Sequence, residues 1–328
     1  MRNRLIRRHV AHSVGAVVLN PVVAKPVGLM DRFRGPLQGM PFMPALRAYS
    51  GLRPREAISQ TARTLGRLGT LEVRLARSAA DVRRAQKLRY RVFYKEMCAV
   101  PDAGKMIAQR DIDTYDAICD HLIVIDHATH GPTGKPIMVG TYRLLRQQIA
   151  ERSGGFYSAG EYDVAPLLAR HRECRFLELG RSCVLPAYRS KRTVELLWHG
   201  IWTYVLHHGI DAMLGCASLE GTDPRGLALP LSFLHHFAPS PEDWRVRALP
   251  SRYVEMNRIS RDHIDKKAAV HALPPLVKGY LRLGAFFGNG AVIDHQFGTT
   301  DVLAILPVSA INTRYMQHFG PNAHRHAA

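Results

Sequence analysis

Cysteine is scarce in this chain: five in 328 residues, at 98, 119, 174, 183 and 216, with no CxxC pair. An odd, scattered set excludes a disulfide framework and fits a reducing compartment, hence a cytoplasmic location. No apolar run approaches the ~18 residues of a spanning helix. HExxH is absent, and the adjacent pairs His207-His208 and His235-His236 project in different directions from a helix, so no metal site is expected. Acidic residues are in short supply: 27 Asp and Glu against 45 Lys and Arg give a formal net charge of +18. The 46% apolar content excludes wholesale disorder, and the length is enough for a sizeable core.

The positive charge is concentrated at one end. Residues 1–70 hold eleven Arg and Lys25 against Asp31 and Glu56, which is +10 of the +18. Prolines at 21, 26, 36, 41, 44 and 54 forbid a long helix there. Arg2–Arg8 ahead of Val14–Val23 imitate a signal peptide, but Asn20 and Pro21 interrupt the apolar run. The expectation is a basic, loosely ordered N-terminal extension over 1–70 and a compact domain over 71–328. Such an arm suits an anionic membrane surface, at about 1 kcal/mol per basic residue, and would hold the protein peripherally on the inner face of the cell membrane. No nucleic acid partner is expected, because aromatic–basic interleaving and DNA-reading motifs are missing.

From Leu71 onward, strands and helices alternate. Leu71–Leu75 reads as a strand, and Ser78 followed by Asp81 is a capping-box start for a helix over Ala79–Met97. Strands are expected at His121–Asp126, Ile137–Leu145, Arg175–Val184 and Asp211–Ala217. Helices fit Thr193–His208, capped by Gly209, and Pro224–Phe237. Beyond Pro274-Pro275, the segments Tyr280–Phe287, Gly290–Asp294 and Asp301–Val308 look strand-like, with a terminal helix around Ala310–His318. The class is α/β, with a mixed central sheet flanked by helices and a strand-rich C-terminal elaboration.

Two constellations carry chemistry. Arg89 shares a helical face with Val82, Ala85 and Phe93, where a guanidinium needs carboxylate partners. Asp111, Asp113 and Asp116 follow soon after. The second is Glu178-Leu-Gly180-Arg181-Ser182-Cys183-Val184. In a regular strand Glu178 and Arg181 face opposite ways, whereas a bulge at Gly180 would bring them together and free a backbone N–H for an oxyanion. An ordinary half-buried ion pair fits the same spacing.

These motifs, with the lone Arg143 ending a strand, resemble the acyl-carrier-protein-dependent autoinducer synthases, relatives of the GNAT N-acyltransferases. That family has an Arg followed four residues later by Phe, an acidic-x-Asp-x-x-Asp segment, a single strand-end Arg and Glu-x-x-Arg. The resemblance to the ornithine-lipid N-acyltransferases is closer and covers roughly residues 80–318. It rests on LRYRVFYKEM, DIDTYDAICDHLIVID, ELGRSCVLPAYR, GCASLEGTDP, LSFLHH, PPLVKGYLRLGA and FGTTDVLAILP, the last four lacking counterparts in the autoinducer enzymes.

The resemblance implies a GNAT-like fold and transfer of a 3-hydroxyacyl chain from acyl carrier protein to the α-amine of L-ornithine, giving lyso-ornithine lipid. The phosphopantetheine of the donor is then the only cofactor. An autoinducer-type synthase, or an enzyme acylating another amino acid such as glycine, is the alternative within the same fold. A non-catalytic basic binding protein is the alternative outside it. CoA-dependent GNAT proteins carry a glycine-rich pyrophosphate loop, but Tyr188–Thr193 has no glycine, and Arg189, Lys191 and Arg192 suit an acidic carrier protein instead. Glu178 is the expected base, directly or through a water, with its proton affinity raised by burial and opposed by Arg181. Backbone amides of Ser182–Val184 are the expected oxyanion donors. Arg89 and Arg143 are candidates for the ornithine carboxylate, and Asp111, Asp113 or Asp116 for its side-chain ammonium. These acids have a competing and stronger structural role as partners of Arg89. Cys183 is expected to pack rather than attack.

Overall fold

The computed structural model describes residues 64–311. The expectations for residues 1–63, and for the terminal helix beyond residue 311, fall outside that range. Nine strands are described: β1 (Thr64–Leu68), β2 (Leu71–Leu75), β3 (Asp120–His130), β4 (Pro136–Arg146), β5 (Phe176–Val184), β6 (Ala212–Glu220), β7 (Phe286–Phe287), β8 (Val292–Asp294) and β9 (Thr299–Pro307). The helices are α1 (Ala79–Tyr90), α2 (Ala103–Ala108), α3 (Gln147–Glu151), α4 (Ala165–Arg170), α5 (Lys191–His208), α6 (Ala228–Phe237), α7 (Lys266–Ala272) and α8 (Pro275–Leu283). The strands form one sheet in the order β1-β2-β3-β4-β5-β6-β9-β7, with β8 also pairing β9.

Every pairing is antiparallel except β5 with β6, which are joined by α5 as a crossover. Alternate side chains of β3 face opposite layers. Ile123 and Ile125 pack with Ala85 of α1, while Leu122 and Val124 join Leu196, Leu197, Ile201 and Val205 of α5. The two helices therefore cover opposite faces, and each such apolar side chain contributes roughly 1.5–3 kcal/mol by burial. Ser78 accepts the Asp81 N–H at 3.2 Å, and Gly209 takes the left-handed conformation that closes α5. Both caps agree with the sequence signals.

Three elements depart from expectation. Thr64–Leu68 is a strand paired with β2, although it lies inside the stretch assigned to the extension. Only Phe286–Phe287 of the expected strand Tyr280–Phe287 is a strand, and its first half ends a helix: Pro275 opens α8 at its first turn, and Val277, Tyr280 and Leu283 are buried at helical spacing. The helix from Ala79 changes to a π-helical turn over Arg91–Glu96.

The parallel ladder between β5 and β6 is short, running only from Phe176/Ala212 to Glu178/Leu214. Beyond it the β5–β6 pairing ends in a fork, and β6 continues on β9 alone. Gly215 stands at the crotch, where a Cβ would lie 2.3 Å from the Leu179 carbonyl oxygen, so no larger residue fits there without moving backbone.

Candidate active site

The site lies on the α1 side of β4 and β5, where the sheet opens. Its foundation is a network of arginines and carboxylates. Asp113 and Asp116 cap each other reciprocally and fold Thr114–Ala117 into a 3-10 turn, which presents both carboxylates to the sheet. Arg89, 0% exposed, donates Nε to Asp111 Oδ2 at 2.8 Å and Nη2 to both Asp116 oxygens at 2.8 Å. Tyr94 from the π turn donates to the other Asp111 oxygen at 3.0 Å. Arg143, also buried, reaches Asp113 at 2.6 Å and Asp116 at 3.4 Å. Burial, the largest influence, opposes ionisation of Asp113 and Asp116, but Arg143 with Arg181 at the first and Arg89 with Arg143 at the second together outweigh it, so both stay below the usual aspartate range. Asp111 and Asp116, two of the three acids expected to meet Arg89, do so, while Asp113 goes to Arg143 and Arg181; buried among them, Arg89 has no access for a substrate carboxylate.

The β5 bulge is real, and it is displaced by one residue from the glycine. Arg143 pairs Gly180 and Thr141 pairs Cys183, so Arg181 and Ser182 together oppose Tyr142. Arg181, not Gly180, takes the left-handed conformation, with φ +49°. Its guanidinium lies between the rings of Tyr157 at 4.7 Å and Phe297 at 4.9 Å. It meets Asp111 and Asp113 only at 3.4 Å, and its Nε has no hydrogen-bond partner among the described residues. Of the three arginines it is the most open, with 14% of its side chain exposed. Phe93 packs edge-on against the same Phe297 at 5.6 Å, which puts the helix motif beside the bulge.

Glu178 points to the same side, although it does not pair with Arg181. Its two oxygens accept the backbone N–H groups of Tyr157 at 2.8 Å and Ser158 at 2.7 Å. Burial pushes its proton affinity up, opposed by Ser158, Tyr157 and Arg143. The opposition expected from Arg181 therefore comes from other groups, because Arg181 is drawn to the aspartates. Tyr157 links the two, with its N–H on Glu178 and its hydroxyl accepting from Arg181 at 3.3 Å.

Cys183 is buried opposite Thr141 in the ladder, near Arg89 and Asp111, and burial pushes its thiol up to about 12. A thiol held that far above neutrality is a poor nucleophile. Cys183→Ala keeps the backbone amide and is expected to retain acyl-transfer turnover within about twofold of wild type in a steady-state assay; collapse of the rate would revive a covalent route. All five cysteines are free.

Sequence reasoning missed a second group of acids. Glu161, Asp294 and Asp301 bring carboxylate oxygens within 4.8 Å of one another, the one such metal-capable grouping among the described residues, and neither histidine pair joins it. Glu161 accepts from the Cys216 thiol, next to the crotch glycine, at 3.1 Å. Burial raises the proton affinity of both Glu161 and Asp301, and each is raised further by a neighbouring acid. Tyr157 senses Glu161 and Asp294 and Asp301 senses Arg181, so this group borders the bulge. No local motif announces it, since its members come from a loop and from β8 and β9 and meet only in the fold. Arg189, Lys191 and Arg192 are exposed at the start of α5, with Arg189 bridging Glu96 at 2.5 Å.

Residues 88–199 match the family model of the acetyltransferase (GNAT) domain. The chain is 55% identical over 274 residues to an L-ornithine N(alpha)-acyltransferase of Rhizobium meliloti (strain 1021), covering 83% of this chain and 92% of that one. It is 52% identical over 275 residues to an L-ornithine N(alpha)-acyltransferase of Agrobacterium fabrum (strain C58), covering 84% and 94%. Among solved structures, an N-acyl amino acid synthase from uncultured soil microbes aligns over 74% of this chain and 92% of its own, at 13% identity and a TM-score of 0.40.

Proposed function

The chain belongs to the L-ornithine N(alpha)-acyltransferase family, and on that premise we propose that it moves a 3-hydroxyacyl chain from acyl carrier protein to the α-amine of L-ornithine, giving lyso-ornithine lipid. The identity to curated ornithine acyltransferases along most of the chain carries this reading. The end of the β5–β6 pairing at Glu178 and Leu214 supports it, because an extended pantetheine arm can lie along a strand edge that has lost its neighbour.

An ammonium cannot attack a thioester, so the α-amine must first lose a proton. Glu178, raised by burial and steadied by two amides, takes that proton directly or through one water. The free amine attacks the thioester carbon, and the bulge, which takes one residue out of the ladder, supplies N–H groups around Ser182–Val184 to the oxyanion. Collapse of the intermediate forms the amide and expels the carrier thiolate, which takes up a proton. Arg181, the most open of the three arginines, is better placed for the ornithine carboxylate than Arg89 or Arg143, whose side chains are buried against aspartates at shorter distances. Asp111, Asp113 and Asp116 are matched by those arginines and therefore position them. The side-chain ammonium then turns to Glu161, Asp294 and Asp301, where Arg252 stands 3.5 Å from Glu161 and Arg181 acts on Asp301 from the bulge.

The test is purified protein with 3-hydroxyacyl carrier protein and each amino acid in turn, the product identified by mass spectrometry. Ornithine is expected to be acylated in preference to glycine and homoserine lactone, and the reverse preference overturns the substrate assignment. Arg189, Lys191 and Arg192 form the carrier-protein rim. Lys191→Glu with Arg192→Glu is expected to raise the KM for the acyl carrier about tenfold, with kcat little changed and a shallower salt dependence. An unchanged KM would remove the rim from the docking site.

A further inference from the structure

We infer that the outer face of α1 and the α2 segment together form a docking surface for an anionic lipid bilayer, separate from the N-terminal arm. Arg83, Lys87 and Arg91 recur every fourth residue and Lys95 continues the series into the π turn, so all four lie along one edge of the helix. All four are exposed, and no described carboxylate pairs with any of them. From Arg83 to Lys95 the stripe spans roughly 18 Å at helical rise, a line of unmatched positive charge.

The stripe ends on an apolar prominence. Seven large apolar side chains are exposed among the described residues, and four of them, Met97, Val100, Met106 and Ile107, fall within one short stretch. Single exposed apolar residues are ordinary on a soluble surface, but such a cluster marks an interface. α2 buries none of its own residues, so its Met106 and Ile107 add nothing to the core. Lys95 donates to Gln109 at 2.9 Å and Val100 N–H to Gln296 at 2.7 Å, which fixes the prominence to the stripe and to the loop before Phe297. Cationic side chains flanking an apolar wedge match an anionic headgroup layer over acyl chains.

The experiment uses the full chain and two vesicle types, phosphatidylcholine alone and phosphatidylcholine mixed two to one with phosphatidylglycerol. Wild type is expected to sediment with the anionic vesicles only. Lys87→Glu with Arg91→Glu, and separately Met106→Ser with Ile107→Ser, are each expected to lower the partition coefficient at least tenfold. Met106→Trp should shift its emission to the blue on anionic vesicles, after subtraction of the wild-type spectrum. Both double variants should acylate ornithine normally from the carrier donor without vesicles, so a failed surface and a failed enzyme assignment give different results. Wild type failing to sediment, unchanged partition of both double variants, or an unshifted Trp emission overturns the proposal. A raised KM for acyl carrier protein with vesicle binding intact assigns the face to that protein instead.

Discussion

Glu178→Gln is expected to lower ornithine N-acylation by about 10²–10⁴-fold while leaving the fold intact. The replacement is isosteric, so an oxygen still accepts one of the two N–H groups from Tyr157 and Ser158. What it loses is the ability to take a proton. The pH profile separates this from a packing defect. Burial holds the Glu178 carboxyl above the ordinary glutamate range, so kcat/KM of the wild type should fall as pH drops through that raised value. The variant should lose that acid limb along with the rate. The same shift works against stability, because a carboxyl raised in the folded state contributes most below its unfolded value and its contribution declines as pH rises through the folded one. A variant with wild-type rate and an unaltered acid limb would move the base elsewhere, and a variant that unfolds would be read through Glu178→Asp, which keeps the charge and shortens the reach.

Arg89→Met is expected to destabilise the domain by about 3–5 kcal/mol, the usual cost of removing one partner from a buried ionic network. Methionine fills much of the same volume, so the loss is chiefly electrostatic. It leaves Asp111 without its Nε donor and Asp116 without its main cation. In the wild type, Asp116 is depressed despite burial because Arg89 and Arg143 hold it ionised. A carboxyl depressed in the folded state contributes stability above its unfolded value and loses it as pH falls. In Arg89→Met that depression weakens, so the acid-unfolding midpoint should move up as the urea midpoint moves down. Adding Asp111→Asn should recover part of the loss, since it removes an unpaired buried charge. An unfolding free energy from urea titration within about 1 kcal/mol of wild type would show that the cluster is not under this electrostatic load.

Much of this was legible in local pattern. The strand at Leu71–Leu75, the helix opening after Ser78, the long crossover helix ending at Gly209 and the strand through Glu178 all stand where short-range signals put them. Arg89 on an apolar face required a carboxylate, and the acid-rich segment after it supplied two. Thr64–Leu68 escaped because TLGRL has a glycine and little alternation. The segment containing Tyr280 and Phe287 looked like a strand because aromatic and aliphatic residues suit either element, and the helical spacing of Val277, Tyr280 and Leu283 was the stronger signal.

Sequence by itself determined that Arg89 needs carboxylate partners, the order of the main elements and the existence of an irregularity near Gly180, because each depends on spacing within a few residues or on the cost of a lone buried charge. Tertiary structure alone decided that the irregularity bends at Arg181, that this arginine faces two aromatic rings and the aspartates in place of Glu178, and that Glu161, Asp294 and Asp301 converge beside it. Those outcomes depend on strand register and on where the β5–β6 pairing ends, which join residues far apart in the chain and leave no periodicity in it to read.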